Sequence, residues 1–570
     1  MPPAERARRS ARVRRLSGLF HGLRTVGLWT LISRLLGLVR DMGMAALFGN
    51  GTVFDAFSVA FRLPNLARRL FGEGALTAAF LPALVRQREQ HGAEAGWRLA
   101  GAVLTGLGGL LLAITVLLEI LLWSVLQFAP LNDDWRLLLV LSAELLPYVV
   151  VICLAAQASV MLHSCNHFTW PAVLPVLLNV VWIAALVAAP GWSSNPDTQI
   201  HLICAAILVA GLLQCLVPLP QLYQFGFRFH HFWKGPFRSQ VDESLRDIRR
   251  SLLAVLFGLS VSQINILADG LFAWGLAIPE APARLEWWHI LESGTASALY
   301  LGQRLYQFPL GVFGLALGTV MFPLLARHAE SGAMKELRDD LLLGLRLVIV
   351  VGLPSAAGLV LLSRPLSVVL FQHGEFTVED SAQTARMIAA CGVGVWAGIG
   401  LLIVNRCCYA VGDRQTPLRI GIASVVLNLV LNVLLLPLVG GPGLAIATSI
   451  TTTIQCLVTV AVLQRRIGSI NWSRLQQTLN RTAIATGLMT LTCLASAALV
   501  EWLNAQQAVP QLPDTGSSTS LYRLATLIVP FVSGTTVFLV SGYLLGLTEL
   551  TLLLSRTRRD TLEADQPDEM

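Results

Sequence analysis

The sequence is short of charge: acidic and basic residues fill only 13% of its 570 positions, against about 25% in soluble domains. With 55% hydrophobic residues and a mean hydropathy of +0.65, this scarcity excludes an ordinary soluble globule and points to a membrane protein. Catalytic signatures are missing as well. There is no G-x-S-x-G, no P-loop and no H-E-x-x-H, which disfavours an integral-membrane transferase. The nine cysteines, at 153, 165, 204, 215, 391, 407, 408, 456 and 493, form no C-x-x-C and show no ligand-like spacing, so they read as small core residues. His163, His167, His230 and His231 fall at or outside the ends of apolar runs, where interfacial roles suit them. A cleavable leader is not expected either. Arg6, Arg8, Arg9, Arg12, Arg14 and Arg15 precede an apolar stretch that contains Arg34, Arg40 and Asp41 and no small-residue cleavage site, the pattern of a retained first helix. The formal charge of +7 lies in short clusters between apolar runs, which suits membrane topology and speaks against a nucleic-acid partner.

What the sequence has in abundance is apolar runs long enough to cross a bilayer core of about 30 Å. On that template spans fall near 26–48, 52–71, 97–127, 137–163, 170–190, 200–224, 251–277, 296–326, 341–370, 381–411, 417–438, 444–464, 482–502 and 521–550. The expected fold is therefore an all-α polytopic membrane protein of about fourteen transmembrane helices. Lysine and arginine resist translocation. The basic tail 1–25, the connections 64–96, 225–250 and 465–481, and the tail 553–570 alternate with basic-poor loops such as 128–135 and 503–520, which places both termini in the cytoplasm. The acidic end, Glu563 to Glu569, reads as a solvated extension.

An internal repeat organises the chain, since FRLPNLARRLFGEGALTAAFLPALVR at 61–86 resembles QRLYQFPLGVFGLALGTVMFPLLAR at 303–327. An offset of 242 places Arg62 on Arg304, Phe71 on Phe313, Gly72 on Gly314 and Thr77 on Thr319; one helix earlier, Arg40 falls on Asp269 with an offset shorter by thirteen, the longer 278–293 loop absorbing the difference. Six spans separate the copies. The expectation is two parallel-repeat six-helix lobes, an N-lobe at 26–224 and a C-lobe at 251–464 joined by the linker 225–250, with a C-terminal helix pair at 478–552 outside the repeat.

A charge at the bilayer centre costs about 2.5–3.5 kcal/mol on insertion scales, so intramembrane ions face a wet cavity or one another. In the first helix Arg34 and Asp41 are seven apart and share a face, Arg40 points about 120° away, and Gly37 between them offers a bend. In the second, Asp55, Arg62 and Arg69 form a stripe spaced by seven, interrupted by Pro64, with Arg68, Arg69 and Glu73 at the cytoplasmic end where a gate would lie. Arg304 adds a cation from the second repeat. Several guanidiniums and few acids suit a diphosphate, because planar forks bind phosphate oxygens bidentately and stay ionised when desolvated. The plainer alternative is that Arg34–Asp41 and Asp55–Arg62 are ion pairs that lock helices. Asp269, a carboxylate within SVSQINILADGLFAWG, suggests a bound cation or a proton site; Asn428, Asn432 and Thr448 offer neutral oxygens, or else hydrogen bonds between helices.

The run SRLLGLVRDMGMAALFGNGTVFDAFSVAFRLPNLARRLFGEGALTAAFLP at 33–82 resembles the opening of the MurJ (MviN) family of lipid II flippases, within the multidrug/oligosaccharidyl-lipid/polysaccharide exporter superfamily. RLYQFPLGVFGLALGTVMFP at 304–323, LPSAAGLVLLSRPLSVVLFQHGEFT at 353–377 and YAVGDRQTP at 409–417 extend the likeness over roughly residues 25–470. The resemblance implies a substrate-binding cavity with Ser33, Arg34, Arg40, Asp41, Asp55 and Arg304, to which the charge argument adds Arg62, and a gate with Arg68, Arg69 and Glu73. It also implies a sodium site at Asp269, Asn428 and Thr448, although Asn428 is an amide where the family's carboxylate is expected. The implied activity is transport rather than enzymatic: lipid II, an undecaprenyl-diphosphate-linked disaccharide peptide, is flipped to the outer leaflet of the bacterial inner membrane by alternating access, serving peptidoglycan synthesis. Expected partners are lipid II, membrane lipid and the proteins of cell-wall synthesis around a monomer, without a cofactor beyond Na+ or H+ as coupling ion. The rivals are an exporter of another lipid-linked oligosaccharide or of drugs on the same fold, and a non-transporting membrane scaffold. Organic cations would want carboxylates and aromatics rather than arginines, and a scaffold would pair all its polar groups.

Overall fold

The computed structural model describes residues 3–228, 230, 245–248, 263–277, 290–506 and 517–554, and their side chains except at 3–25, 72–75, 78, 315, 506, 517–520, 553 and 554. In lipid a backbone has no water to bond, so apolar runs of this length fold as helices that satisfy their own N–H and C=O groups. Among the described residues eleven helices are long and apolar enough to cross a membrane. They coincide with eleven of the fourteen expected spans, and the other three are the expected first, second and seventh. Helix α1 (Pro3–Phe48) contains the first. The second is divided into α2 (Thr52–Ala60), α3 (Arg62–Ala67) and a π-helical stretch (Arg68–Gly74). Of the seventh, 251–262 lie outside the described residues and 263–275 form a helix. These three are also where most of the intramembrane charges sit.

The chain divides into two compact units. The first takes residues 1–289, 293–297 and 373–376. After α3 it contains α4 (Ala75–Phe128), α5 (Asp133–Ser164), α6 (Thr169–Trp192), α7 (Pro196–Leu216), α8 (Leu219–Gln224) and α9 (263–275). Helix α4 is interrupted at Gly92, whose φ of 85° is outside the helical range, so the expected span 97–127 begins just after a break. Asn132 opens α5 by accepting the Trp135 N–H (3.0 Å), and Asn195, followed by Pro196 in the first turn, opens α7 by accepting the Asp197 N–H. Helix α1 packs along α6, with Gly37 and Gly43 turned to it: an added Cβ would come 3.8 Å from Asn179 and 3.0 Å from Leu186. Gly43 is thus the point of close approach, while a Cβ at Gly37 would make ordinary contact, and α1 runs through both as one helix. Trp182 of α6 meets Phe57 and Phe61 edge-on, at 5.4 and 5.1 Å between ring centroids, and Phe61 stacks on Tyr148.

The boundary between the units differs from the one expected at 225–250. Helix α9 belongs to the first unit, held by side chains that sequence periodicity does not reveal: Trp274 packs edge-on against Trp135 at 6.1 Å, and two arginines described below reach it from α3 and the π-helix.

The second unit takes 290–292, 298–372 and 377–570. Its helices are most of α10 (Thr295–Pro309), a π-helical turn (Leu310–Gly314), α11 (Leu315–Glu330), α12 (Met334–Leu361), α13 (Ser363–Phe371), α14 (Val378–Val393), α15 (Val395–Ala410), α16 (Gln415–Val439), α17 (Pro442–Ile467), α18 (Trp472–Gln506), α19 (Ser517–Leu544) and α20 (Thr548–Leu554). Thr377 and Asp380 open α14 with a reciprocal capping box. Leu325, Leu341, Ile399, Ile403, Cys407 and Leu463 centre its main core. The C-terminal pair α18 and α19 packs together, and Met489, Cys493 and Phe538 meet Val350 of α12, so the pair is part of this unit's core. All nine cysteines are free, and seven are buried, in keeping with their reading as core residues.

Both copies of the repeat carry a π-helical segment, and Leu310, where the second begins, is the position that the 242-residue offset assigns to Arg68, where the first begins. A π-turn widens the helix and misaligns its carbonyls. In the first unit α5 meets two of these: buried Gln157 donates its Nε2 to the Phe71 carbonyl (2.7 Å) and the Cys153 thiol points at the Ala67 carbonyl (3.5 Å). Gln157→Leu removes a buried donor and is expected to lower stability by about 1–3 kcal/mol, read as a lower thermal midpoint of the purified protein; an unchanged midpoint would show that the π-turn does not need this bond.

Candidate functional site

The intramembrane charges divide into those closed inside a unit and those left open. Arg40 is closed. Only 4% of it is exposed, and Asp41 beside it is 1% exposed. Asp41 Oδ1 accepts from Arg40 Nε at 3.0 Å and from Nη2 at 2.7 Å, while Nη1 donates to Asn179 Oδ1 at 3.1 Å. The Asn179 amide then donates to the Ser33 carbonyl at 2.9 Å, and the Trp182 ring lies 4.3 Å beneath the guanidinium carbon. The expected partner of Asp41, Arg34 on the same helical face, is displaced by the chain neighbour, because a guanidinium is long enough to swing around the helix. Arg40 as a solvated cavity cation is therefore corrected: here it is bound by internal partners.

Arg34 is the open one in α1. Its side chain is exposed, on the flank between the buried face that carries Asp41 and an exposed apolar stripe of Leu28, Leu31, Leu35 and Val39.

Asp55 is 1% exposed and does not pair with Arg62. Its Oδ2 accepts the Gly294 N–H at 2.9 Å and its Oδ1 the Ser297 N–H at 2.6 Å, so it caps the start of α10. Those residues belong to the first unit, and Ser297 is the position that the repeat offset assigns to Asp55 itself. Asn50 Oδ1 accepts the Ser297 hydroxyl beside it (3.2 Å). A carboxylate at a helix start meets unsatisfied N–H groups and the positive end of the helix dipole.

Arg62 and Arg69 do share a face, as their spacing predicts, and the face is turned to α9. Arg62 Nη1 donates to the Ile266 carbonyl, and its guanidinium lies where a Cβ on Gly270 would sit. One stage along the antiparallel pair, Arg69 Nη1 donates to Gln263 Oε1 at 3.2 Å. Buried Asp269 is on this same short helix, beside Gly270. Arg62, expected to line the substrate cavity, is instead 7% exposed and fastens α3 to α9. Arg68 is half-buried in the π-helix, and the side chain of Glu73 lies outside the described residues.

Arg304 of α10 is half-buried in the second unit, its guanidinium 5.8 Å from the ring centre of Tyr300 one turn earlier. Asn428 and Thr448 belong to that unit too, whereas Asp269 belongs to the first. Asn428 Nδ2 donates to Thr448 Oγ1 at 3.1 Å and Asn428 Oδ1 accepts from Asn432 Nδ2 at 3.1 Å, a chain that ties α16 to α17. The Asn428 and Asn432 amides are thus directed at Thr448 Oγ1 and Asn428 Oδ1. No group of three or more His, Cys, Asp or Glu suited to a metal occurs among the described residues.

Sequence reasoning missed Asn179 and Trp182, the α6 residues that hold Arg40. Neither carries a charge, so nothing in the sequence marks them.

A family model described as lipid II flippase MurJ matches residues 44–509. The probable lipid II flippase MurJ of Haemophilus influenzae is 33% identical over 75% of this chain and 82% of its own length. The corresponding protein of Rhizobium tropici is 30% identical over 94% of this chain and 96% of its own. Among solved structures, a lipid II flippase MurJ in an inward closed conformation shares 21% identity at a TM-score of 0.68, covering 91% of this chain and 98% of that one. An inward-facing multidrug transporter of the MATE family, in the MOP superfamily, shares 14% at 0.63, covering 78% and 96%. At those identities the two structures speak for the fold alone. The family model and the relatives settle the family: this chain belongs to the MurJ family of lipid II flippases.

Proposed function

We propose that this protein flips lipid II across the bacterial inner membrane, from the cytoplasmic to the outer leaflet, as a transporter without covalent chemistry. The observation that carries the reading is a guanidinium in each unit, Arg34 exposed in α1 and Arg304 half-exposed in α10, both within largely apolar stretches of the chain. Cations in such places serve an anionic cargo, and a diphosphate is matched bidentately by planar forks. In this reading Arg34 and Arg304 each offer a fork to the diphosphate in the course of transport. Arg40 joins when Asp41 releases it, and the polyprenyl tail stays in lipid. Both termini face the cytoplasm, which the basic connections 64–96, 225–250 and 465–481 support. Alternating access of the two repeats moves the headgroup, with Arg68 and Arg69 at the cytoplasmic gate. Drug export on the same fold is the second reading, and the arginines speak against a cationic cargo.

Depletion of the protein in cells tests this: lipid II is expected to accumulate on the cytoplasmic leaflet, and unchanged leaflet distribution would reject the reading. Because the Asn428–Thr448 pair is hydrogen-bonded rather than caged, no sodium step is assigned. Flipping in proteoliposomes is expected to run within about twofold when potassium replaces sodium. A tenfold fall on that exchange would restore sodium as coupling ion; with sodium excluded, a proton carried at Asp269 is the coupling this reading retains.

A further inference from the structure

Resting on that reading, we propose that Asn179 is a positioning residue for the substrate: it holds Arg40 through the Nη1 nitrogen so that the Nε/Nη2 edge, filled by Asp41, is presented to a phosphate when Asp41 lets go. Three features place it. Asn179 is buried, so its polar atoms must be satisfied within the protein. Its amide is used at both ends, with Oδ1 accepting from Arg40 at 3.1 Å and Nδ2 donating to the Ser33 carbonyl at 2.9 Å, which fixes the amide's orientation and ties it to two turns of α1. Gly37, between those turns, faces it: a Cβ there would stand in ordinary contact, 3.8 Å from its Nδ2.

The guanidinium is thus divided by function. Asp41 Oδ1 takes the Nε–H and the Nη2–H together at 3.0 and 2.7 Å, the parallel pair of donors with which arginine grips a phosphate. A carboxylate in that position is a stand-in for the substrate oxygen and competes with it. Asn179 bonds from the other nitrogen and Trp182 supports the face of the group at 4.3 Å, so neither contact needs to break when the anions exchange. Without Asn179 the guanidinium can turn about its long side chain, and ordering it again is charged to substrate binding.

The test is a double-mutant cycle on lipid II flipping by the full-length protein in liposomes, with KM and the maximum rate read separately. Asn179→Leu keeps the branched outline and removes both bonds; KM for lipid II is expected to rise about tenfold with the maximum rate within about twofold. In an Arg40→Ala background the same change is expected to add nothing, because Asn179 acts through Arg40. Should the leucine protein fail to accumulate, Asn179→Ser serves in the same cycle. Additive effects on KM, or a KM unmoved by loss of Asn179, would overturn the proposal. If Arg40→Ala itself leaves KM unchanged, the substrate reading at Arg40 is what has failed, and the positioning role falls with it.

Discussion

Replacing Arg304 by lysine is expected to cost lipid II flipping nearly as much as replacing it by alanine. Lysine keeps the positive charge, so a site that needed only net charge would recover. A diphosphate asks for more than charge. Guanidinium offers two parallel N–H donors in a rigid plane, while ammonium is a compact and strongly hydrated point charge that must be stripped of water to enter a site of this kind. Charge-assisted hydrogen bonds contribute about 1.5–3 kcal/mol each, and each 1.4 kcal/mol is a factor of ten. Losing one fork contact therefore predicts a fall of roughly ten- to a hundredfold in kcat/KM for both variants, measured on the reconstituted protein. Arg304 is half-buried beside Tyr300, and the thermal midpoint of each purified variant separates a loss of function from a loss of fold. Full recovery with lysine would mean that the site reads charge alone.

Asp55→Asn is expected to act through the fold. The carboxylate satisfies the Gly294 and Ser297 N–H groups with one oxygen each. An amide keeps one acceptor and turns an N–H at the other donor, so one buried backbone N–H loses its bond and faces a like dipole. With bonds to a charged group contributing about 1.5–3 kcal/mol and an unsatisfied donor costing a similar amount, the loss is roughly 3 kcal/mol. Thermal unfolding of the purified variant, with protein level in the membrane, checks it. A variant of unchanged stability that fails to flip lipid II would instead put Asp55 in the transport cycle as a group that must change its protonation. Arg62→Ala, by contrast, leaves this cap intact, since the two residues do not pair; its effect is expected to be loosening of α9.

The sequence makes much of this legible, and the places where it falls short share a cause. Apolar length locates the membrane helices, because lipid forces each run to satisfy its own backbone, and the repeat offset of 242 predicts matched positions that turn out to share a helical defect, at Arg68 and at Leu310. The spacing of seven from Arg62 to Arg69 correctly predicts one face. It cannot say which helix that face meets, since periodicity carries no partner. The same limit explains Asp41. On a helical wheel it belongs with Arg34, yet it binds Arg40, because arginine reaches farther than the wheel's angle implies and because Asn179 and Trp182 supply a seat that the local sequence does not contain. The Asn428–Asn432–Thr448 set shows the reverse case: the spacing is compatible with ligands or with interhelical bonds, and the structure places a hydrogen bond between helices there.

The central claim, that exposed arginines on apolar helices carry the diphosphate of lipid II, is tested most directly by lipid II flipping in proteoliposomes with the wild-type protein and Arg34→Gln. Glutamine keeps an unbranched polar side chain, though a shorter one, and removes the charge and the fork. The account predicts robust flipping by the wild type and a fall of at least about tenfold in the variant, with the protein still folded. Equal flipping by the two, or no flipping by the wild type, would contradict it.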